Sequence, residues 1–121
     1  MVVDDVEEVR DGIEKLLEAD GYRVAPVRSE ETAVQCAQRE PPQLVLVNLD
    51  GSADDVIAAA RRIRERAQLD SRIPIVLFCI DVVAEGAEVD FGGNIYVTRP
   101  DNFNQLRTFI RRLLQAARMQ A

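Results

Sequence analysis

The sequence predicts a doubly wound α/β fold, (βα)5, in which a five-stranded parallel sheet lies between two helical layers in a three-layer α/β/α sandwich. Three observations predict it. Short apolar runs alternate five times with longer segments of helical periodicity, with no low-complexity break between them. The third and fourth runs, Leu44 to Leu49 and Ile73 to Ile80, are continuous rather than alternating, as strands covered on both faces must be. An aromatic content of 5% without Trp leaves Val, Ile, Leu and Ala to fill the core, the usual composition of such a sheet.

The elements follow in order. Met1 to Val3 is a clipped first strand, as though the chain begins a few residues inside a natural domain. Val6, Val9, Ile13, Leu16 and Leu17 form an apolar stripe at helical spacing, closed by the Asp20-Gly21 stop signal. Tyr22 to Val27 is the second strand. Ser29 then caps a second helix with Glu30 and Glu31 in its dipole-favoured first turn, and Pro41-Pro42 ends it. Ser52 caps a third helix through Val56, Ala60 and Ile63. Asp81 to Gly93 carries three glycines and little periodicity, so any fourth helix there is expected to be short or mobile. After the fifth strand, Ile95 to Thr98, Pro100 and Asp101 introduce a last helix with Phe103, Leu106, Ile110, Leu113, Leu114 and Ala117 as its stripe.

Bulk composition narrows the function. A chain of 121 residues, 47% hydrophobic, buries one core, so a single domain over residues 1–121 is expected. A formal net charge of -6 repels nucleic acid and anionic membranes, which leaves a protein or a cation as partner. No basic apolar leader and no membrane-length apolar run occurs, so a cytoplasmic protein is expected. With no histidine, the common zinc and haem ligand sets and the usual general base of hydrolases are missing, so no catalytic residue is assigned and no cofactor is required. Cys36 and Cys79 have no metal-type spacing and read as reduced structural thiols.

In an open parallel sheet the functional crevice lies outside the carboxyl ends of the strands. There the sequence sets Asp4-Asp5, Asn48-Leu49-Asp50, Cys79 and Arg99. Val2-Val3-Asp4-Asp5, Pro42 to Leu49, Ile73 to Cys79 and Tyr96-Val97-Thr98-Arg99-Pro100, spaced over essentially the whole chain, resemble the response-regulator receiver family. That resemblance implies a flavodoxin-like sheet of order 2-1-3-4-5, the order for which this family supplies a standard example. It also implies two-component or phosphorelay signalling, in which a partner histidine kinase passes a phosphoryl group to an aspartate ending the third strand.

Asn48 occupies that aspartate's position, and a neutral amide cannot supply the anionic oxygen that covalent phosphoryl transfer requires. Cys79 stands where the family places a Thr or Ser hydroxyl, Arg99 where it places a lysine, and Tyr96 at its switching aromatic position. Asp4, Asp5 and Asp50 form the acidic pocket, which Arg99 is expected to neutralise by closing on Asp4 or Asp50. Asp5 with the carbonyl oxygens of Asn48 and Asp50 makes a weak Mg²⁺ site.

The bland alternatives are acidic capping of the first helix for Asp4-Asp5, a small buried residue for Cys79, an interfacial core tyrosine for Tyr96 and a solvated carboxylate for Asp50. The expected function is a phosphorylation-independent pseudo-receiver that binds a histidine kinase, a response regulator or an effector domain. The family's surface of fourth helix, fifth strand and last helix would serve as docking or homodimer face. One rival keeps phosphorylation on a displaced carboxylate, Asp50, with Mg²⁺; a remoter one is a flavodoxin-like cofactor-binding domain, which the phosphate-repelling Asp4-Asp5 opening disfavours.

Overall fold

The computed structural model describes residues 1–78, 83–100 and 102–119. Its sheet contains β1 (Val2–Asp4), β2 (Pro26–Val27), β3 (Val45–Asn48), β4 (Ile75–Phe78), β5 (Glu88–Asp90) and β6 (Ile95–Thr98). The spatial order is β2-β1-β3-β4-β6-β5. All neighbours run parallel except β5, which joins β6 antiparallel. Without β5 the five parallel strands keep the expected order 2-1-3-4-5.

Helices α1 (Glu7–Ala19), α2 (Glu30–Arg39), α3 (Ala53–Arg66) and α4 (Phe103–Met119) cover the two faces. Period-two alternation along the strands sorts the core into layers. Val2, Leu46, Val76 and Phe78 face Ile13 and Leu17 of α1 and Leu106, Phe109 and Ile110 of α4. Their sequence neighbours Val3, Val45, Val47, Ile75 and Leu77 face Ala33, Val34 and Ala37 of α2 and Val56, Ala60 and Ile63 of α3. Each Val, Leu or Ile so buried contributes about 1.5–3 kcal/mol, more than any one surface ion pair in this fold.

Helix ends form where the sequence places their signals. Ser29 and Ser52 each close a capping box, Ser29 with Thr32 and Ser52 with Asp55. Gly21, past the C-terminus of α1, takes φ +92°, a left-handed turn that returns the chain towards β2. Arg107 of α4 grips Asp20 at the end of α1 with Nε 2.7 Å from Oδ2, while its Nη2 donates to Oδ1. The first and last helices thus meet on one face of the sheet. That guanidinium, acting against partial desolvation, holds the Asp20 carboxyl below its usual range.

Arg64 of α3 makes a second long-range tie. Its Nη1 donates to Asp70 O at 2.8 Å and its Nη2 to Ile73 O at 2.9 Å and Asn94 O at 3.4 Å, so one guanidinium joins the loops entering β4 and β6. Partial burial pulls its pKa down from the ordinary arginine value.

Three expectations are corrected. Residues 83–94 form no helix: an edge strand, β5, stands in the segment predicted to hold a short fourth one, so the sheet has six strands and not five. The helix is excluded by Gly86, Gly92 and Gly93, all at positive φ, and by main-chain pairing with β6. The second strand shrinks from Tyr22–Val27 to two residues because β1 offers it only Val2 and Val3 as partners. Val6, Val9 and Phe103, assigned to buried stripes, are 50%, 40% and 59% exposed. Val6 is the N-cap of α1, and Val9 and Phe103 lie in the first turns of α1 and α4, at helix ends that pack less against the sheet than the helix middles do.

Candidate functional site

The carboxyl ends of β1 and β3 lie side by side, and their register sets Asp4 directly opposite Asn48. Asp4 is fully buried, while Asn48 is half-buried at the crevice floor. The Asn48 amide donates from Nδ2 to Asp4 Oδ2 at 3.1 Å. Only the NH₂ end of an amide can face a carboxylate in this way; its oxygen would be repelled. The other Asp4 oxygen accepts the Val6 N–H at 2.9 Å, and Arg10 Nη1 donates to the Asp4 main-chain oxygen at 2.9 Å. A buried carboxylate is costly without partners, and here each of its oxygens has one.

Asp5 and Asp50 line the rim, both exposed. Asp5 Oδ2 accepts the main-chain N–H of Asp50 at 3.4 Å, which ties the loop after β3 to the loop after β1. Gly51 follows at φ +128°, with its Cα facing the Asp55 side chain at the start of α3. A Cβ there would lie 3.4 Å from Asp55 Cβ on a backbone that L-residues rarely adopt.

For a divalent cation this donor set falls short. Both Asp4 oxygens are spent on N–H groups, and Asn48 turns its NH₂ towards Asp4. Among the described residues no three His, Cys, Asp or Glu side chains converge on a point where a metal ion would sit. The described side chains alone therefore assemble no hard-cation cage at this crevice, and no chemical step is routed through one.

Arg99 and Tyr96 take their contacts elsewhere. Arg99 forms no ion pair with Asp4, Asp5 or Asp50, contrary to the expectation that it closes the pocket. Its main chain is stitched instead to the segment before β5, its N–H to Ala87 O at 3.2 Å and its O to the Gly86 N–H at 2.6 Å. Tyr96 is half-buried against α4, its ring edge-on to Phe109 at 5.7 Å and 89°. Desolvation there, with Asp90 nearby, raises the phenol above its usual pKa. Cys79 lies outside the described residues.

A second cluster was not legible from the sequence. Thr98, almost wholly buried, donates its hydroxyl to Ala87 O at 2.9 Å, and Gln105 Nε2 donates to Gly86 O at 2.8 Å. Arg112 lies 5.3 Å from the centroid of the Phe109 ring and pairs with Glu88 of β5. These contacts fasten β5 to β6 and α4. Helical spacing placed Leu106 and Ile110 in the core, and it also reaches Phe109, which the predicted stripe omitted.

Among the described residues no helix is long and apolar enough to cross a membrane. Compared with known families, residues 1–111 match the model described as response regulator receiver domain.

Proposed function

Because this chain belongs to the response-regulator receiver family, we propose that it serves two-component signalling as an atypical receiver, one that docks on a protein partner without first accepting a phosphoryl group. Two-component signalling follows from the family; phosphorylation independence is the step added here. The observation that supports it is the Asn48 amide at the end of β3, hydrogen-bonded to the buried Asp4 carboxylate.

That bond does two things. It leaves a neutral amide where phosphoryl transfer needs an ionised oxygen, and it gives Asp4 a partner, so the crevice is satisfied without phosphate or metal. A receiver in this condition carries information in its surface. The partner is a histidine kinase, another response regulator or an effector domain, and no catalytic step is assigned to this chain.

Incubation with acetyl phosphate and Mg²⁺, followed by intact-mass spectrometry, tests the reading. No adduct of phosphoryl mass is expected on the wild type. A stoichiometric acyl-phosphate, on Asp50 or any other carboxylate, would overturn it. Partner capture from the native host should proceed equally before and after phosphodonor treatment.

A further inference from the structure

β5 closes the sheet on one side, and its outer edge is open. Val89 stands opposite Val97 in the antiparallel pair. Bonds from Arg99 N–H to Ala87 O (3.2 Å) and from Phe91 N–H to Ile95 O (2.9 Å) flank that pair at two-residue steps. Ala87, Val89 and Phe91 therefore direct their main-chain groups at β6, and by the same alternation Glu88 and Asp90 direct theirs away from the sheet. Among the described residues none bonds to those outward groups. The strand is also held in place, by Thr98, Gln105 and Arg112, so its edge is preformed and needs no ordering on binding.

The side chains give this edge a chemical character. Glu88 and Asp90 share the α4 face, while Val89 lies on the opposite face with Val97. Val89 and Phe91 are 37% and 39% exposed. Glu88 is paired with Arg112, whereas Asp90 and the neighbouring Glu85 form no ion pair among the described residues.

A second copy of the chain fits this edge badly. In any two-fold antiparallel pairing through the outward groups, Glu88 or Asp90 meets Glu88 or Asp90 of the other copy, and like charges directly opposite are destabilising. The same acids that deter self-pairing favour a cationic strand.

We propose that β5 is a docking edge that takes an extended segment of a partner protein as a further strand, the segment alternating basic residues, set against Glu88 and Asp90, with apolar ones set against Val89 and Phe91. This names the partner chemistry of the docking function proposed above and rests on that reading. Main-chain bonds to Glu88 and Asp90 supply the attachment, and the side-chain alternation supplies the selection.

The test uses the full chain and a capped Lys-Val-Lys-Val-Lys peptide, followed by ¹⁵N-¹H correlation spectroscopy. The expected result is that amide shifts concentrate at residues 88–90. An analogue N-methylated at every internal residue binds about tenfold or more weakly, as does the parent peptide to Asp90→Lys. The N-methylated analogue keeps the test valid on wild-type protein should the variant misfold. Equal affinity for the N-methylated analogue would reduce the effect to charge adsorption and overturn the inference. Shifts centred away from β5, or a β5-mediated dimer of the free protein in sedimentation, would overturn it as well. Repeating the titration with acetyl phosphate and Mg²⁺ separates the two claims: unchanged affinity agrees with both, whereas strand addition that occurs only with the phosphodonor refutes phosphorylation independence and leaves the docking edge standing.

Discussion

Replacing Asn48 by Asp is the perturbation that most directly interrogates the crevice. In the wild type its amide donates to Asp4 Oδ2 at 3.1 Å, and Asp4 is fully buried. The substitution removes a hydrogen bond to a charged group, worth about 1.5–3 kcal/mol. It also sets two carboxylates within about 4 Å, a repulsion of about 4 kcal/mol at an effective dielectric of about 20. Because Asn48 is open to solvent on one side, halving that repulsion is reasonable, and the total loss at neutral pH comes to about 3–5 kcal/mol. For a chain of this size that lowers Tm by about 10–20 °C.

Two conditions should restore the loss. The variant's facing carboxylates hold a shared proton to higher pH in the folded state than in the unfolded chain, so folding gains stability as pH falls from neutral. A divalent cation bridging the two should raise Tm in proportion to its free concentration. Urea denaturation between pH 4.5 and pH 8, with and without Mg²⁺, measures both. A variant as stable as the wild type at neutral pH without Mg²⁺, and with the same pH dependence as the wild type, would mean that the Asn48 side chain does not face Asp4 and would refute the reasoning.

Other outcomes follow from contacts elsewhere. Arg64→Met, which removes donors to Asp70 O, Ile73 O and Asn94 O, should lower urea stability by about 2–4 kcal/mol, and Arg64→Lys should recover only part of it because an ammonium lacks the planar fork. Asp20→Asn should destabilise the protein at neutral pH but not in strong acid. The native Asp20 pKa lies below its unfolded value, so its contribution is present above the ordinary carboxylate range and disappears as pH falls through the folded value; a pH series of melting curves on both proteins checks this. Gly51→Ala, which forces a Cβ onto φ +128° against Asp55, should cost about 1–2 kcal/mol in thermal or urea unfolding.

The sequence by itself determined the elements whose signal is local and repeated. Continuous apolar runs marked β3 and β4, the serines ahead of acidic turns marked the starts of α2 and α3, and the Asp20-Gly21 stop marked the end of α1. Resemblance placed Asn48 at the end of the third strand beside the acidic residues, and the β1–β3 register then sets it opposite Asp4. Tertiary structure alone decided the rest. Three residues reading Glu-Val-Asp carry too little periodicity to announce a strand, and β5 exists because β6 offers it main-chain partners and Thr98, Gln105 and Arg112 hold it there. Likewise Val6, Val9 and Phe103 obey helical spacing yet remain exposed, since burial depends on how closely that part of a helix packs against the sheet. Arg99 has the charge to close on the acidic crevice but stays away from it, because its main chain is committed to the 86–87 segment and the Asp4 oxygens are already bonded. A side chain's chemistry is written in its residue type, whereas its partner is chosen by the backbone that competing contacts hold in place.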